Sequence, residues 1–174
     1  PCDIVETIEA WEIALQSNQP TILALTRQNL SLLRKENHTE NKVKKGAYIL
    51  KNFDNYHTTI LASGSETEIA FQASNQLEKE GIYSRVISMA SFELFEKQDQ
   101  DYKKHIIGNK PCFAIEAGVI NGWEKYVVSD NFLGMNSFGA SGPYEDLYNH
   151  FGITAENLIK KIKQKIKTNF RGEG

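Results

Sequence analysis

The sequence predicts an α/β protein: a three-layer sandwich with a mainly parallel sheet, preceded by a helix and a strand that look like the remnant of a second α/β domain. Three observations predict it. From residue 47 onward, short apolar runs alternate with amphipathic helical patterns, the rhythm of strands joined by crossover helices. Those runs are nearly continuous in apolar residues, as strands covered on both faces should be. Finally, the polar, charge-dense stretch RKENHTENKVKK at 34–45 reads as a surface linker. It sets off residues 1–33, which are too few to make a core of their own.

Taken in order, residues 3–18 place Ile4, Ile8, Trp11 and Leu15 at helical spacing, with Glu6, Glu9 and Glu12 elsewhere. That predicts an amphipathic helix burying its apolar stripe and ending before Pro20. Thr21 to Leu25 is an uncharged run, read as a strand that ends close to Arg27. After the linker, AYIL (47–50) and TTILAS (58–63) predict strands. GSETEIAFQASNQLEKEG predicts a helix in which Ser65 and Glu68 form a capping box, Ile69, Ala73 and Leu77 face the core, and Gly81 is the stop. SRVISM (84–89) is a strand, 91–107 one helix, CFAIEA (112–117) a strand, GWEKYVVSD a short helix and FLGMNSF (132–138) the last strand. Pro143 opens a helix that Gly152 ends. Thr154 caps the final helix, with Ile153 and Leu158 placed as a hydrophobic staple.

Composition narrows the function classes. Of 174 residues, 40% are hydrophobic and 24% charged, and the formal charge is -2. Such a balance provides no overall field for nucleic acid or an anionic membrane, and no apolar run approaches the length of a membrane span. PCDIVETIEAWEI carries acids where a signal peptide has a basic region. Cys2 and Cys112 lie far apart without CxxC spacing, which fits reduced thiols in a cytoplasmic protein.

Several features could carry chemistry. The turn Ser63, Gly64, Ser65, Glu66, Thr67 joins a strand to a helix N-terminus and is a candidate anion-binding turn. A capped turn is the plainer reading, since neither GxGxxG nor a phosphate-loop GK[ST] is present. His38, His57, His105 and His150 are scattered among polar neighbours with no second metal ligand in step, so all four read as surface histidines. Glu116 ends an apolar strand, either as a perturbed acid or as a structural carboxylate satisfied by hydrogen bonds. In NLIKKIKQKIK, Leu158, Ile162 and Ile166 make a stripe among lysines, read as a helix packed on the sheet rather than on a membrane. Arg27 ends a strand where parallel sheets gather ligands, and its fork suits carboxylate or phosphate. An ion pair with Glu6 or Glu36 is the structural alternative.

WEIALQSNQPTILALTRQNL resembles the last helix and strand of the transketolase pyrimidine-binding domain. KGAYIL, LASGSETEIA, SRVISM, EAGVINGWEKYV and FGASGPYEDLYNHFGIT resemble, in order, pieces of the transketolase C-terminal domain. Many relatives have proline after RQNL, where this chain has Ser31. The resemblance implies that 1–33 ends a pyrimidine-binding domain, 34–46 is a linker, 47–170 a C-terminal domain and 171–174 a tail. It implies an enzyme of the pentose phosphate pathway that moves a two-carbon ketol unit between ketose and aldose phosphates. Such an enzyme uses thiamin diphosphate, anchored by a divalent cation (Mg or Ca), as its electron sink. It also implies a homodimer and a sugar-phosphate role for Arg27. No catalytic residue falls within these residues, so neither cofactor nor activity is expected of this piece alone. A free-standing anion- or nucleotide-binding module and a dimerisation domain are the alternatives.

Overall fold

The sheet is assembled from the apolar runs. In a computed structural model that describes residues 1–35 and 40–171, with side chains detailed to residue 166, five strands form: β1 (Ala47–Lys51), β2 (Thr58–Ala62), β3 (Ser84–Met89), β4 (Cys112–Ile115) and β5 (Phe132–Leu133). Their spatial order is β1-β3-β2-β4-β5. The β2, β3, β4 and β5 pairings are parallel, and β1 runs antiparallel on the edge of β3. Every residue of β2 and β3 is buried, which explains why these strands read as unbroken apolar runs.

Alternation sends side chains to two cores. Ile60, Val86, Phe113 and Ile115 pack under α2 (Glu66–Lys79) and α6 (Ala155–Arg171). Leu61, Ile87 and Ala114 pack with Phe95 of α3 (Phe92–Glu96), Ile106 of α4 (Gln100–Ile107) and Trp123. Helices therefore cover both faces, giving the three-layer α/β sandwich. Two further helices lie at the carboxyl end of the sheet: α1 (Ile4–Gln16) and α5 (Tyr144–Phe151).

Punctuation falls where the turn chemistry places it. Gly81 takes φ 77° just past α2 and Gly152 takes φ 70° after α5. Thr154 Oγ1 accepts from Asn157 N at 3.3 Å, and Ile153 and Leu158 are both buried beside it. Gly46 of KGAYIL is required twice over. Its φ is 80°, and a Cβ there would sit 2.1 Å from Phe95 N.

Several elements differ from the sequence expectation. The capping box is absent: Ser65 Oγ donates to Glu66 instead, and Glu68 accepts from Ser31. The 91–107 helix is two, because Asp99 caps a fresh start by accepting from Tyr102 N at 2.7 Å. GWEKYVVSD forms no α-helix: it holds a 3-10 turn, Trp123–Lys125, and runs into a second, Ser129–Asn131. β4 stops at Ile115 and β5 after two residues; past Ile115 the segments are tied by Glu116 N to Leu133 O at 3.1 Å and Met135 N to Gly118 O at 2.8 Å. Thr21 to Leu25 is not a strand. Neither edge strand of the sheet pairs with it, and Ile22 and Leu25 face outward.

The largest departure is α1. Its expected core stripe, Ile4, Ile8, Trp11 and Leu15, is exposed, and the buried residues are Glu6, Glu9 and Ala10. Polar bonds dock it. Ser88 Oγ at the end of β3 donates to Glu6 at 2.6 Å. Glu9 accepts from Arg34 Nη1 at 3.0 Å and from the N–H groups of Lys42 and Val43 at 3.1 and 3.2 Å. Asp3 caps the helix through Glu6 N at 2.7 Å and also holds Arg34 N at 3.1 Å. The expected surface linker is accordingly pinned at both ends, with Arg34 and Val43 buried and Lys42–Lys45 wound into a 3-10 turn.

Candidate functional site

The connection from β2 to β3 runs to one side of the sheet, and the path from β3 to β4 crosses to the other. The carboxyl ends of β2 and β4 thus flank a topological switch point, where open α/β sheets place their ligands. Ser63 and Glu116 stand there, Ser63 Oγ donating to Glu116 Oε2 at 2.6 Å. The extended segment 21–26 passes over this edge and closes a cleft of about 480 Å³ against Ser63–Glu66, Phe92 and Glu116.

Electrostatically the floor is acidic. Glu66 is buried, and it accepts from Ser65 Oγ at 2.9 Å and from the Tyr148 hydroxyl of α5. Burial, reinforced by the neighbouring Glu66, pushes the Glu116 carboxyl up to about 7, against the bond from Ser63. The perturbed-acid reading of Glu116 and the hydrogen-bonded one are both present in the same group. Burial and then Glu66 push the Tyr148 phenol up to about 12, against the bond with Ser65 Oγ at 3.0 Å.

This arrangement does not favour an anion on the turn 63–67. Glu66 N, Thr67 N and Glu68 N already donate to the carbonyls of Ser63, Gly64 and Ser65 at 3.2, 3.2 and 3.3 Å. Glu66 and Glu68 also sit in the first turn of α2 and offset its dipole.

Arg27 lies at the same end of the molecule, one residue beyond the cleft wall at Thr26. It is exposed and has no ion-pair partner among the described residues. The pairing with Glu6 does not form, because Glu6 is buried and bonded to Ser88; Glu36 and His38 lie outside the described residues. The loop carrying Arg27 is tied down beyond it, where Ser31 Oγ donates to Glu68 Oε1 at 2.7 Å. Sequence reasoning did not single out Tyr148, and it gave Glu68 a local capping role; the bonds they make, to Glu66 and from Ser31, span more than thirty residues that no local pattern records.

Of the remaining candidates, His57 Nδ1 accepts from Tyr83 N at 3.0 Å, a structural bond, while His105 and His150 are exposed. Two lysines of α6 make surface ion pairs: Lys163 pairs with Glu80, and Lys165 with Asp130 at 3.4 Å. Among the described residues no group of three or more His, Cys, Asp or Glu side chains could hold a metal ion. Among the described residues no helix is long and apolar enough to cross a membrane.

The sheet order and the antiparallel edge strand, with helices on both faces, define a three-layer α/β domain. Comparison with known proteins gives its family. The Transketolase-like TK C-terminal domain matches residues 46–154. The chain is 44% identical over 168 residues to a transketolase of Cereibacter sphaeroides, covering 95% of this chain and 26% of that protein. The structure of transketolase from Leishmania mexicana superposes with a TM-score of 0.86 at 37% identity, over 97% of this chain and 25% of that one. A Pichia stipitis transketolase solved in complex with sedoheptulose-7-phosphate superposes at 0.88 with 34% identity, over 99% of this chain and 25% of that one. The chain belongs to the transketolase family and spans about a quarter of the length of these relatives.

Proposed function

We propose that this chain is the C-terminal part of a transketolase that transfers a two-carbon ketol unit between ketose and aldose phosphates, and that Arg27 holds the sugar phosphate. The observation that carries the reading is the exposed guanidinium of the RQNL loop, which has no ion-pair partner among the described residues and stands at the carboxyl edge of the sheet. It lies in a chain that superposes almost entirely on a relative solved with a phosphorylated ketose. A guanidinium presents two parallel N–H donors to a phosphate. Held there, the phosphate orients the reacting carbonyl at the far end of the sugar and lowers the barrier through positioning.

On this reading, residues 1–33 close a pyrimidine-binding domain, 34–46 join it to the C-terminal domain of 47–170, and 171–174 form a tail. Thiamin diphosphate, the electron sink of ketol transfer, and its divalent cation do not fit the residues present. The described residues offer no metal cluster, and the α2 turn is acidic with its N–H groups already bonded. Both belong to the rest of the longer protein, which works as a homodimer in the cytoplasm on the pentose phosphate pathway. This chain alone is inactive.

The test is Arg27→Ala in a complete transketolase carrying these residues. The KM for a phosphorylated donor should rise about tenfold to a hundredfold, as expected for a lost charge-assisted bond. The KM for a non-phosphorylated acceptor should hold. Equal KM values in wild type and variant for both substrates would overturn the assignment.

A further inference from the structure

Arg27 has no ion-pair partner among the described residues, so its place is set by the backbone that carries it. That backbone runs without helix or strand from Ser17 to Lys35. A free loop would let the guanidinium sample many places, and ordering it on substrate binding would weaken binding. The loop is held at residues 31–34, directly after the RQNL motif, and carboxylates hold it. Ser31 Oγ and Ser31 N donate to the two oxygens of Glu68 at 2.7 and 3.5 Å, a tie at the surface. Deeper in, Leu33 N and Arg34 N both donate to Asp3 Oδ2, at 3.3 and 3.1 Å. Arg34 Nη1 donates to Glu9 Oε1 at 3.0 Å. Asp3 is buried, and its other oxygen, Oδ1, accepts from Glu6 N at 2.7 Å to cap α1. One carboxylate thus joins the start of α1 to the return of the loop that leaves the end of α1. The loop is closed at its base as well as tied along its return.

We propose that Asp3 is a positioning residue for Arg27: its Oδ2 grips the backbone at Leu33 and Arg34 and, with the outer Ser31–Glu68 tie, holds the phosphate-binding arginine at a fixed place on the carboxyl edge of the sheet. The inference rests on the sugar-phosphate reading of Arg27. Asp3 acts through the backbone of the loop and not on the substrate. An ionised carboxylate suits the task because its two oxygens accept on both sides at once, one for the cap and one for the grip. Its bonds to N–H groups are also stronger than neutral ones, and a buried N–H left without an acceptor is costly. Among the described residues, the next backbone N–H groups after Arg34 that a carboxylate holds are those of Lys42 and Val43, on Glu9. Losing the grip therefore frees a longer stretch beyond Arg27, and a longer stretch costs more to order.

The experiment uses a complete transketolase carrying these residues. It compares Asp3→Asn, Asp3→Ser, Arg27→Ala and the double variant Asp3→Asn/Arg27→Ala with the parent. Asparagine and serine cap helices about as well as aspartate, so α1 keeps its start while the second carboxylate oxygen is lost. Two readouts are taken: amide hydrogen exchange of residues 27–34 and of α1, and ketol transfer with phosphorylated and non-phosphorylated donors. Asp3→Asn and Asp3→Ser should each speed exchange in the loop and leave α1 unchanged. Each should raise the KM for the phosphorylated donor about threefold to tenfold, as for one or two lost hydrogen bonds, with kcat unchanged. The KM for the non-phosphorylated donor should hold, and the effect of Asp3→Asn should vanish in the Arg27→Ala background. If Arg27→Ala raises the KM for the phosphorylated donor while both Asp3 variants leave it alone, the positioning role falls and the phosphate role stands. Faster loop exchange without a change in KM also overturns the positioning role, because the grip is then structural only. So does faster exchange in α1, or failure of both variants to fold, since Asp3 would then act through the helix. No effect of Arg27→Ala removes both roles.

Discussion

Helices α1 and α6 carry the same kind of pattern and face opposite ways. α6 turns Leu158 and Ile162 into the core and keeps Lys163 and Lys165 in surface ion pairs. α1 buries two glutamates and leaves Ile4, Ile8, Trp11 and Leu15 exposed by 61, 61, 50 and 79%. Helical spacing says that an apolar face exists, but not which body covers it. The body covering α6 is the sheet of this chain. α1 is fastened to the sheet edge by its carboxylates, and its apolar stripe is left for another surface. A contiguous stripe of that size marks an interaction face. Under the proposed function it packs into the remainder of the pyrimidine-binding domain.

If the carboxylates are what fasten α1, removing one should hurt most. Glu9→Ala leaves the buried Arg34 guanidinium without its carboxylate and two backbone donors without an acceptor. A loss of about 3–5 kcal/mol is expected in a denaturant titration of this chain. The corresponding cut in α6, Leu158→Ala, opens a cavity between α6 and the sheet and should lose about 2–5 kcal/mol. Glu116→Gln sharpens the contrast between buried acids. The Glu116 carboxyl titrates near 7 in the folded chain, against an ordinary value of 4.5. Its contribution is therefore full below the lower value, is lost as pH rises through the upper one, and is flat beyond. The glutamine variant should match the parent at pH 4 and exceed it at pH 8 by at most about 3 kcal/mol. The smallest effect is expected at Trp11→Ala, within about 0.5 kcal/mol in this chain alone. A loss there as large as that of Leu158→Ala would mean that α1 buries its apolar face after all.

What the sequence made legible follows from the same contrast. The four longer strands were readable because runs such as TTILA and SRVISM are covered on both faces by the chain's own helices. Helix ends were readable where the cap is local, as at Gly81, Gly152 and Thr154. The restart at Asp99 had a local signal too, a capping aspartate inside a helical pattern, and it outweighed continuity. Thr21 to Leu25 could not be read correctly, since a strand needs a partner and neither edge of this sheet provides one. Glu116 drew notice from its place at a strand end, and Glu66 and Glu68 were noted for local roles in a turn and a capping box. The bonds they make instead, with Tyr148 and Ser31, depend on bringing α5 and the early loop against α2, which no local pattern records.

The most direct test of the account is oxidative footprinting of the two tryptophans, resolved by mass spectrometry, in this chain and in a complete transketolase that carries it. Trp123 is 1% exposed in the core and serves as the internal reference. The account predicts that Trp11 is oxidised readily in this chain and is protected to the level of Trp123 in the longer protein. Equal oxidation of Trp11 in both would contradict it, because the apolar face of α1 would then have no body to cover it.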